Sequence, residues 1–237
     1  MSEACKLFIK TIIEKDKYRF NYGRQANKSL SSMRIKLPAD DDGKPNWKWM
    51  EEFVKSLHNK RVTTSIATPK MPLDAQSWGT FKLGGKNGLF EIRKGIRLTS
   101  ENQTEGTTPY IGAIDSNNGV SNLIGQAPCH LGNTISLNYN GSVGEAFYQP
   151  EPFWATDDVN VLYLQPEHGK LNVYTALFIC AILRREQYRF SYGRKWTLDS
   201  MNSTLIKLPK TIEGKPDWAW IESYMKTLPF SDRLGSQ

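Results

Sequence analysis

The feature that most constrains this chain is an internal repeat with the period of a whole domain. The stretch Leu7 to Leu57 recurs as Leu177 to Leu228. Tyr18-Arg-Phe-Asn-Tyr-Gly-Arg24 returns as Tyr188-Arg-Phe-Ser-Tyr-Gly-Arg194, and Ile35-Lys-Leu-Pro38 as Ile206-Lys-Leu-Pro209. Gly43-Lys-Pro-Asn-Trp-Lys-Trp-Met-Glu51 returns as Gly214-Lys-Pro-Asp-Trp-Ala-Trp-Ile-Glu222. The offset is 170 residues from Tyr18 to Tyr188 and 171 from Ile35 to Ile206, with one residue gained near Asp199. Three matched blocks in one order exclude chance. Solenoid repeats run to roughly 20–50 residues, so this period points to a tandem duplication of domains. Thr80 to Leu164 has no counterpart before residue 5. The expectation is the tail of one unit followed by one whole unit.

Composition narrows the class. At 237 residues, with 39% hydrophobic and 11% aromatic residues, the chain can bury a sizeable core and is not disordered. No apolar run reaches the ~18 residues of a membrane span. Leu171 to Leu183 comes nearest and its surroundings hold Asn172, Tyr174 and Thr175. The first apolar stretch is broken by Lys6, Lys10 and Glu14, which is not the pattern of a secretory signal. Cys5, Cys129 and Cys180 are odd in number and scattered, against a disulfide framework or a structural zinc site. A reducing cytoplasm is expected. Lys+Arg of 31 against Asp+Glu of 24 give a net charge of +7, which permits an acidic partner such as nucleic acid without locating its site.

Residues 80 to 164 read as β. The expected strands are Phe90 to Arg93, Pro109 to Ile114, Val120 to Ile124, Asn133 to Asn138, Gly144 to Gln149 and Val159 to Leu164. Asn117-Asn118-Gly119 between two of them is a hairpin signal, because its turn needs φ > 0. Many short strands with polar turns suggest a compact curved sheet or barrel. Leu171 to Tyr188 reads as a helix apolar on more than one face, hence buried against the sheet. Leu205 to Leu208 is a short strand before Pro209. Asn46 to Leu57 and Asp217 to Leu228 are short helices, each opening after a proline. Trp47, Met50, Val54 and Leu57 form a seam on the first, and Trp218, Ile221, Met225 and Leu228 on the second. Helices this short are not stable alone, so they are expected to pair, antiparallel, within one chain or between two. The fold class is therefore α+β.

On these motifs the chain resembles the DNA-recognition (specificity) subunits of type I restriction–modification systems and of related type II systems with a separate recognition subunit. The resemblance rests on Phe90-Glu-Ile-Arg-Lys-Gly-Ile-Arg-Leu98, Tyr110-Ile-Gly-Ala-Ile-Asp-Ser-Asn-Asn-Gly119, Asn138-Tyr-Asn-Gly141 and the second copies of two repeat blocks, Tyr188 to Arg194 and Ile206 to Pro209. It implies target-recognition domains that each read half of a split DNA site, joined by helices that form an antiparallel coiled coil. The corresponding layout is 1–38 for the tail of a first recognition domain, 39–70 for a spacer helix and linker, 71–210 for a complete recognition domain, and 211–237 for the second helix and a tail. It implies a non-catalytic, cytoplasmic module whose partners are double-stranded DNA, a methyltransferase subunit and a restriction subunit. It implies no cofactor in this chain: S-adenosylmethionine, ATP and Mg would belong to partners. The alternative is the recognition fragment of a fused methyltransferase–endonuclease.

Candidate DNA contacts follow from residue chemistry. Arginine forks match phosphates and guanine edges. Arg93, Lys94 and Arg97 flank Gly95, and Arg194 and Lys195 follow Gly193, where a backbone can come close to a partner; the five are expected to make one electrostatic face. Tyr192 lies among the second group. Asn117, Asn118, Asn122 and Asn140 offer amides suited to adenine edges, although asparagine is equally a turn former. Phe190 and the helix aromatics Trp47, Trp49, Phe53, Trp218, Trp220 and Tyr224 are expected to pack. Asp157, Asp158, Glu167 and Lys170 lack nuclease spacing. His58, His130 and His168 are isolated, so no metal site and no catalytic residue is assigned.

Overall fold

A computed structural model describes residues 1–15, 33–57, 63–66, 71–191 and 193–234. The Tyr18 to Arg24 block and Tyr192 lie outside them. The chain divides into two compact units, Met1–Val62 and Thr63–Gln237.

In the first unit, α1 (Glu3–Lys15) packs on α2 (Trp47–Ser56). Cys5, Met50 and Val54 are its buried apolar residues among those described. Phe8 meets Trp49 and Phe53 edge-on, at 6.1 and 5.9 Å between ring centres, and Trp49 stacks on Phe53 at 5.1 Å. Trp49 and Phe53 therefore pack, as expected, whereas Trp47 is exposed. Asn46 stands just before α2, and its side chain accepts a hydrogen bond from the Trp49 N–H. Pro45 lies one residue further out, not in the first turn.

The second unit holds nine strands and three helices among its described residues. β1 (Gly79–Lys82) pairs antiparallel with β9 (Leu205–Leu208). β2 (Phe90–Lys94), β8 (Val159–Leu164), β5 (Thr134–Asn138) and β6 (Ala146–Gln149) form an antiparallel sheet in that spatial order. β3 (Glu105–Ile111) is flanked by β4 (Val120–Ile124) and a short parallel β7 (Trp154–Ala155). The mixture of helices and sheets fits the expected α+β class, and none of the three sheets closes into the expected barrel among the described residues.

The four-stranded sheet has two unlike faces because side chains alternate along a strand. One face carries Ile135, Leu137 and Leu162 against α3 (Val173–Arg185), whose Ala176, Ile179, Cys180 and Leu183 are buried with Trp196 and Met201. The helix is thus buried on the sheet, as its apolar pattern requires. The other face carries Val159 and Val161 beside Ile111, Phe153 and Ala155, and then a polar row on β5 and β6. Gln149 donates to Ser136 Oγ and to the Asn118 carbonyl, both at 3.0 Å, and Asn138 donates to the Ile114 carbonyl at 3.0 Å. These buried amides fasten the 112–119 loop to the sheet. After α3, α4 (Leu198–Ser203) leads to β9, and α5 (Trp218–Lys226) packs on α3. Each repeat helix thus has a partner inside its own unit, α1 for α2 and α3 for α5. Of the two seams, Met50, Val54 and Ile221 are buried, Trp47 and Leu57 are exposed, and Trp218, Met225 and Leu228 are intermediate.

Candidate nucleic-acid interface

One end of the four-stranded sheet gathers most of the candidate cations. β2 ends there at Lys94, β5 ends at Asn138, β8 begins at Val159 and β6 begins at Ala146. Three loops leave this end. Arg97 lies 3.6 Å from Asp157, and Asn140 donates to Asp158 at 2.8 Å. The Lys94 ammonium sits 5.8 Å from the centre of the Tyr139 ring. Burial, followed by the charges of Asp158 and Asp157, raises the Tyr139 phenol above its ordinary range.

The C-terminal end of α3 reaches the same place. Arg184 pairs with Glu145 at 3.0 Å and Gln187 donates to that carboxylate at 2.8 Å. A helix C-terminus favours cations, and Arg184 and Arg185 occupy that last turn. Beyond it, Arg189 pairs with Glu186 at 2.7 Å, and Arg194 donates to the Arg189 carbonyl. Phe190 stacks on the buried Trp196 at 4.5 Å, as its expected core role requires. Tyr188 is 82% exposed and offers an aromatic face beside these cations. Lys195 is exposed.

Two details alter the expected face. Arg93 and Lys94 are adjacent on β2, so they leave the strand on opposite faces: Lys94 toward Tyr139, and Arg93 over the Tyr163 ring, 4.3 Å from its centre. They share an end of the sheet, not a face. Gly95 is needed for a close approach inside the protein. A Cβ there would lie 2.1 Å from the Thr156 carbonyl oxygen, while the Gly95 N–H donates to Val159. A Cβ added at Gly193 would meet nothing within 4 Å, so that side of the turn is open.

The asparagines separate as well. Asn117 and Asn118 both have φ of 51°, the left-handed conformation that asparagine tolerates. Asn117 donates to the Val120 carbonyl and Asn118 to the Tyr148 carbonyl, at 2.7 and 3.0 Å. Asn122 donates to Gln103 at 2.7 Å and accepts from the Leu123 N–H. The amides of Asn117 and Asn118 hold the β3–β4 connection, the turn-forming alternative, while Asn122, on β4, ties that strand to the segment before β3. Asn140 alone among the four sits at the cationic end. The expected two-strand hairpin is present, although its connection runs over residues 112–119.

Behind Arg93 lies a set of residues that the sequence did not indicate. Arg93 forks onto Glu91 at 2.7 and 2.9 Å. Glu91 is the cross-strand partner of Tyr163. The Tyr163 hydroxyl lies 2.8 Å from His130 Nδ1 and accepts the Leu131 N–H at 3.3 Å, which leaves its own proton for the imidazole. Burial and the charge of Arg93 lower the affinity of His130 for a proton, so a neutral ring is favoured. His130 stacks on the buried Phe153 and exchanges two backbone hydrogen bonds with it. Among the described residues no group of three or more His, Cys, Asp or Glu side chains is placed to hold a metal ion, and no helix is long and apolar enough to cross a membrane.

Residues 76–232 match the family profile of the type I restriction modification DNA specificity domain. Over 227 residues the chain is 32% identical to the type II restriction enzyme specificity subunit S.BcgI of Heyndrickxia coagulans, covering 92% of this chain and 65% of that subunit. Among solved structures, the type I system S subunit from M. genitalium is similar over 94% of this chain and 50% of its own, with 16% identity and a TM-score of 0.46. The HsdS subunit from Thermoanaerobacter tengcongensis is similar over 67% of this chain and 39% of its own, at 17% and 0.45. The chain thus spans just under two thirds of the curated relative and half or less of these solved ones.

Proposed function

The chain belongs to the family of type I restriction–modification DNA specificity domains, and from that premise we propose that it is the DNA-recognition module of a restriction–modification complex. In this reading it directs a methyltransferase subunit and a restriction subunit to a target site, in the cytoplasm, and carries out no chemistry itself. S-adenosylmethionine, ATP and Mg belong to those partners. The observation that carries the reading is the family match, which spans the sheet, α3 and α5. The cationic end of the sheet supplies the surface: Lys94 at the end of β2, Arg97 and Asn140 from the loops, with Arg194 and Lys195 beyond α3. The layout is that of a first-domain tail over 1–38, a spacer helix over 39–70, a recognition domain over 71–210 and a second helix over 211–237. Pairing of α2 with α5, within or between chains, would use the seam residues left uncovered, Trp47 and Leu57 on α2 and Trp218, Met225 and Leu228 on α5. Similarity to a subunit of a type II enzyme favours a system with a separate recognition chain over the fused methyltransferase–endonuclease.

The test is duplex binding in the complex with the cognate methyltransferase, across a range of salt. Each phosphate contact on duplex DNA lowers log K by about 0.9 per unit log salt. Three to five contacts give a slope of roughly −3 to −4.5. Lys94→Ala/Arg97→Ala and Arg194→Ala/Lys195→Ala variants should each weaken binding and flatten that slope. Parental affinity and slope in both would remove this surface from DNA.

A further inference from the structure

The surroundings of Arg93 are rigid behind and exchangeable in front. Behind, Tyr163 lies under the guanidinium and is tied by His130 and the Leu131 N–H to a wall formed by Phe153. His130 is 7% exposed and Phe153 is fully buried. In front, the fork is filled by Glu91, whose side chain is 57% exposed, against 50% for Arg93. An ion pair this exposed adds little to stability, so the elaborate backing is not explained by the pair. A guanidinium resting on a tyrosine ring, with Nε–H and Nη–H held together on one half-exposed carboxylate, is pre-organised for a phosphate or a guanine edge. From this geometry we infer that Tyr163, held by His130, is a positioning residue that presents Arg93 to duplex DNA, and that Glu91 is the internal counter-ion which the DNA replaces. The inference rests on the DNA-recognition reading above and adds a second contact point, on the sheet face opposite Lys94.

Binding of a short mixed-sequence duplex, again in the complex with the methyltransferase, tests it. Arg93→Ala should weaken binding on the order of tenfold, the scale of a charge-assisted hydrogen bond. A phosphate contact also flattens the salt slope by about one unit, whereas a guanine contact leaves the slope and removes preference at one base pair. Tyr163→Phe keeps the ring and loses the anchor; it should weaken binding in the parent and have no effect in the Arg93→Ala background. Glu91→Gln removes the competing carboxylate and should tighten binding. In the DNA-free complex the Arg93 Nε–H proton should be displaced by the ring current of Tyr163, and the displacement should vanish in Tyr163→Leu. If Tyr163→Phe costs as much in the Arg93→Ala background as in the parent, Tyr163 acts through the fold and the positioning role is wrong. If Arg93→Ala is silent while Lys94→Ala/Arg97→Ala weakens binding, the inference fails and the DNA surface stands. If both are silent and Arg194→Ala/Lys195→Ala is silent as well, the inference and the DNA surface fail together; if only Arg194→Ala/Lys195→Ala weakens binding, the inference alone fails.

Discussion

In the first copy of the repeat the Asn46 side chain caps α2 by accepting from the Trp49 N–H at 2.9 Å; in the second, Asp217 caps α5 by accepting from the Trp220 N–H at 2.9 Å. The turns leading into these caps also coincide. Ala39 bridges Pro45 and Lys210 bridges Pro216, around Gly43 at φ 76° and Gly214 at φ 77°. Trp49 stacks on Phe53 as Trp220 stacks on Tyr224, both at 5.1 Å, and the edge of that stack meets Phe8 in one copy and Phe178 in the other. The copies part at the helix before the turn. α1 and α3 align from Glu3/Val173 to Lys15/Arg185 and share Leu-Phe-Ile at 7–9 and 177–179. Where α3 buries Ala176 and Cys180 against the sheet, α1 carries Lys6 and Lys10, both exposed. Burial pushes the Cys180 thiol up to about 12, while Lys10 pairs with Glu14 in solvent. Phe178 is further covered by Trp78, 5.6 Å away. The helix-to-helix corner is therefore a self-contained motif, and the sheet-facing side is written separately, in a few positions of α1 and α3.

The largest test of that division is a pair of aromatic truncations. Phe178→Ala opens a cavity in the main core and should cost ~3–5 kcal/mol in urea unfolding. Phe8→Ala removes the same ring from a half-exposed site and should cost less than about half as much. Equal losses would mean that α1 is as deeply packed as α3. Next come Gly43→Ala and Gly214→Ala. Nothing lies within 4 Å of either added Cβ, so only the left-handed backbone resists. Each should cost roughly 1–2 kcal/mol, and by the same amount. A large difference would show that the two turns, alike in geometry, are held differently. The caps follow, with Asn46→Ala and Asp217→Ala expected at ~1 kcal/mol each.

Local signals carried well from sequence to structure. β4 and β9 have the expected bounds, the two short helices begin within one residue of their expected starts, and the apolar pattern of α3 ends within a few residues of the structural end. What failed was set by distant contacts. β1 is four residues with no alternation, and its partner β9 lies far along the chain. Whether the strands close into a barrel depends on edge pairings that periodicity does not encode. The same holds for the site. Arg93 was visible as a cation near a glycine, but its split from Lys94 required the strand register. Tyr163 and His130 entered only once Glu91 was known to face Tyr163 across the sheet. Gly95 marked a close approach, yet the backbone it approaches is that of Thr156.

The smallest predicted effect concerns a link that both copies share. Asn172 caps α3, accepting from the Tyr174 and Thr175 N–H groups, and donates to Glu222 at 2.7 Å, while Glu222 pairs with Lys226. Ser2 stands at the corresponding place before α1, accepts from the Cys5 N–H at 3.3 Å and bonds Glu51, which pairs with Lys55. The hydrogen bond from Lys226, then that from Asn172, holds the Glu222 carboxyl below the usual carboxylate range; for Glu51 the donors are Lys55, then Ser2. A carboxylate whose folded pKa is depressed adds stability above its unfolded pKa, and that stability is lost as pH falls through the folded value. The contribution of each link is therefore complete at neutral pH and disappears on the acid side of the ordinary carboxylate range. Glu222→Gln and Glu51→Gln should lower the unfolding midpoint slightly at neutral pH and flatten its fall in acid. The effect stays small because both lysines are exposed and both carboxylates are about a third exposed, so solvent screens each pair. Midpoints that run parallel to the parent from neutral pH into acid in both variants would show that these links, duplicated as they are, hold nothing. A change confined to Glu222→Gln would show that only the copy packed on the sheet turns its cap-to-carboxylate link into stability, which is the same division between corner and sheet face that the aromatic pair tests on a larger scale.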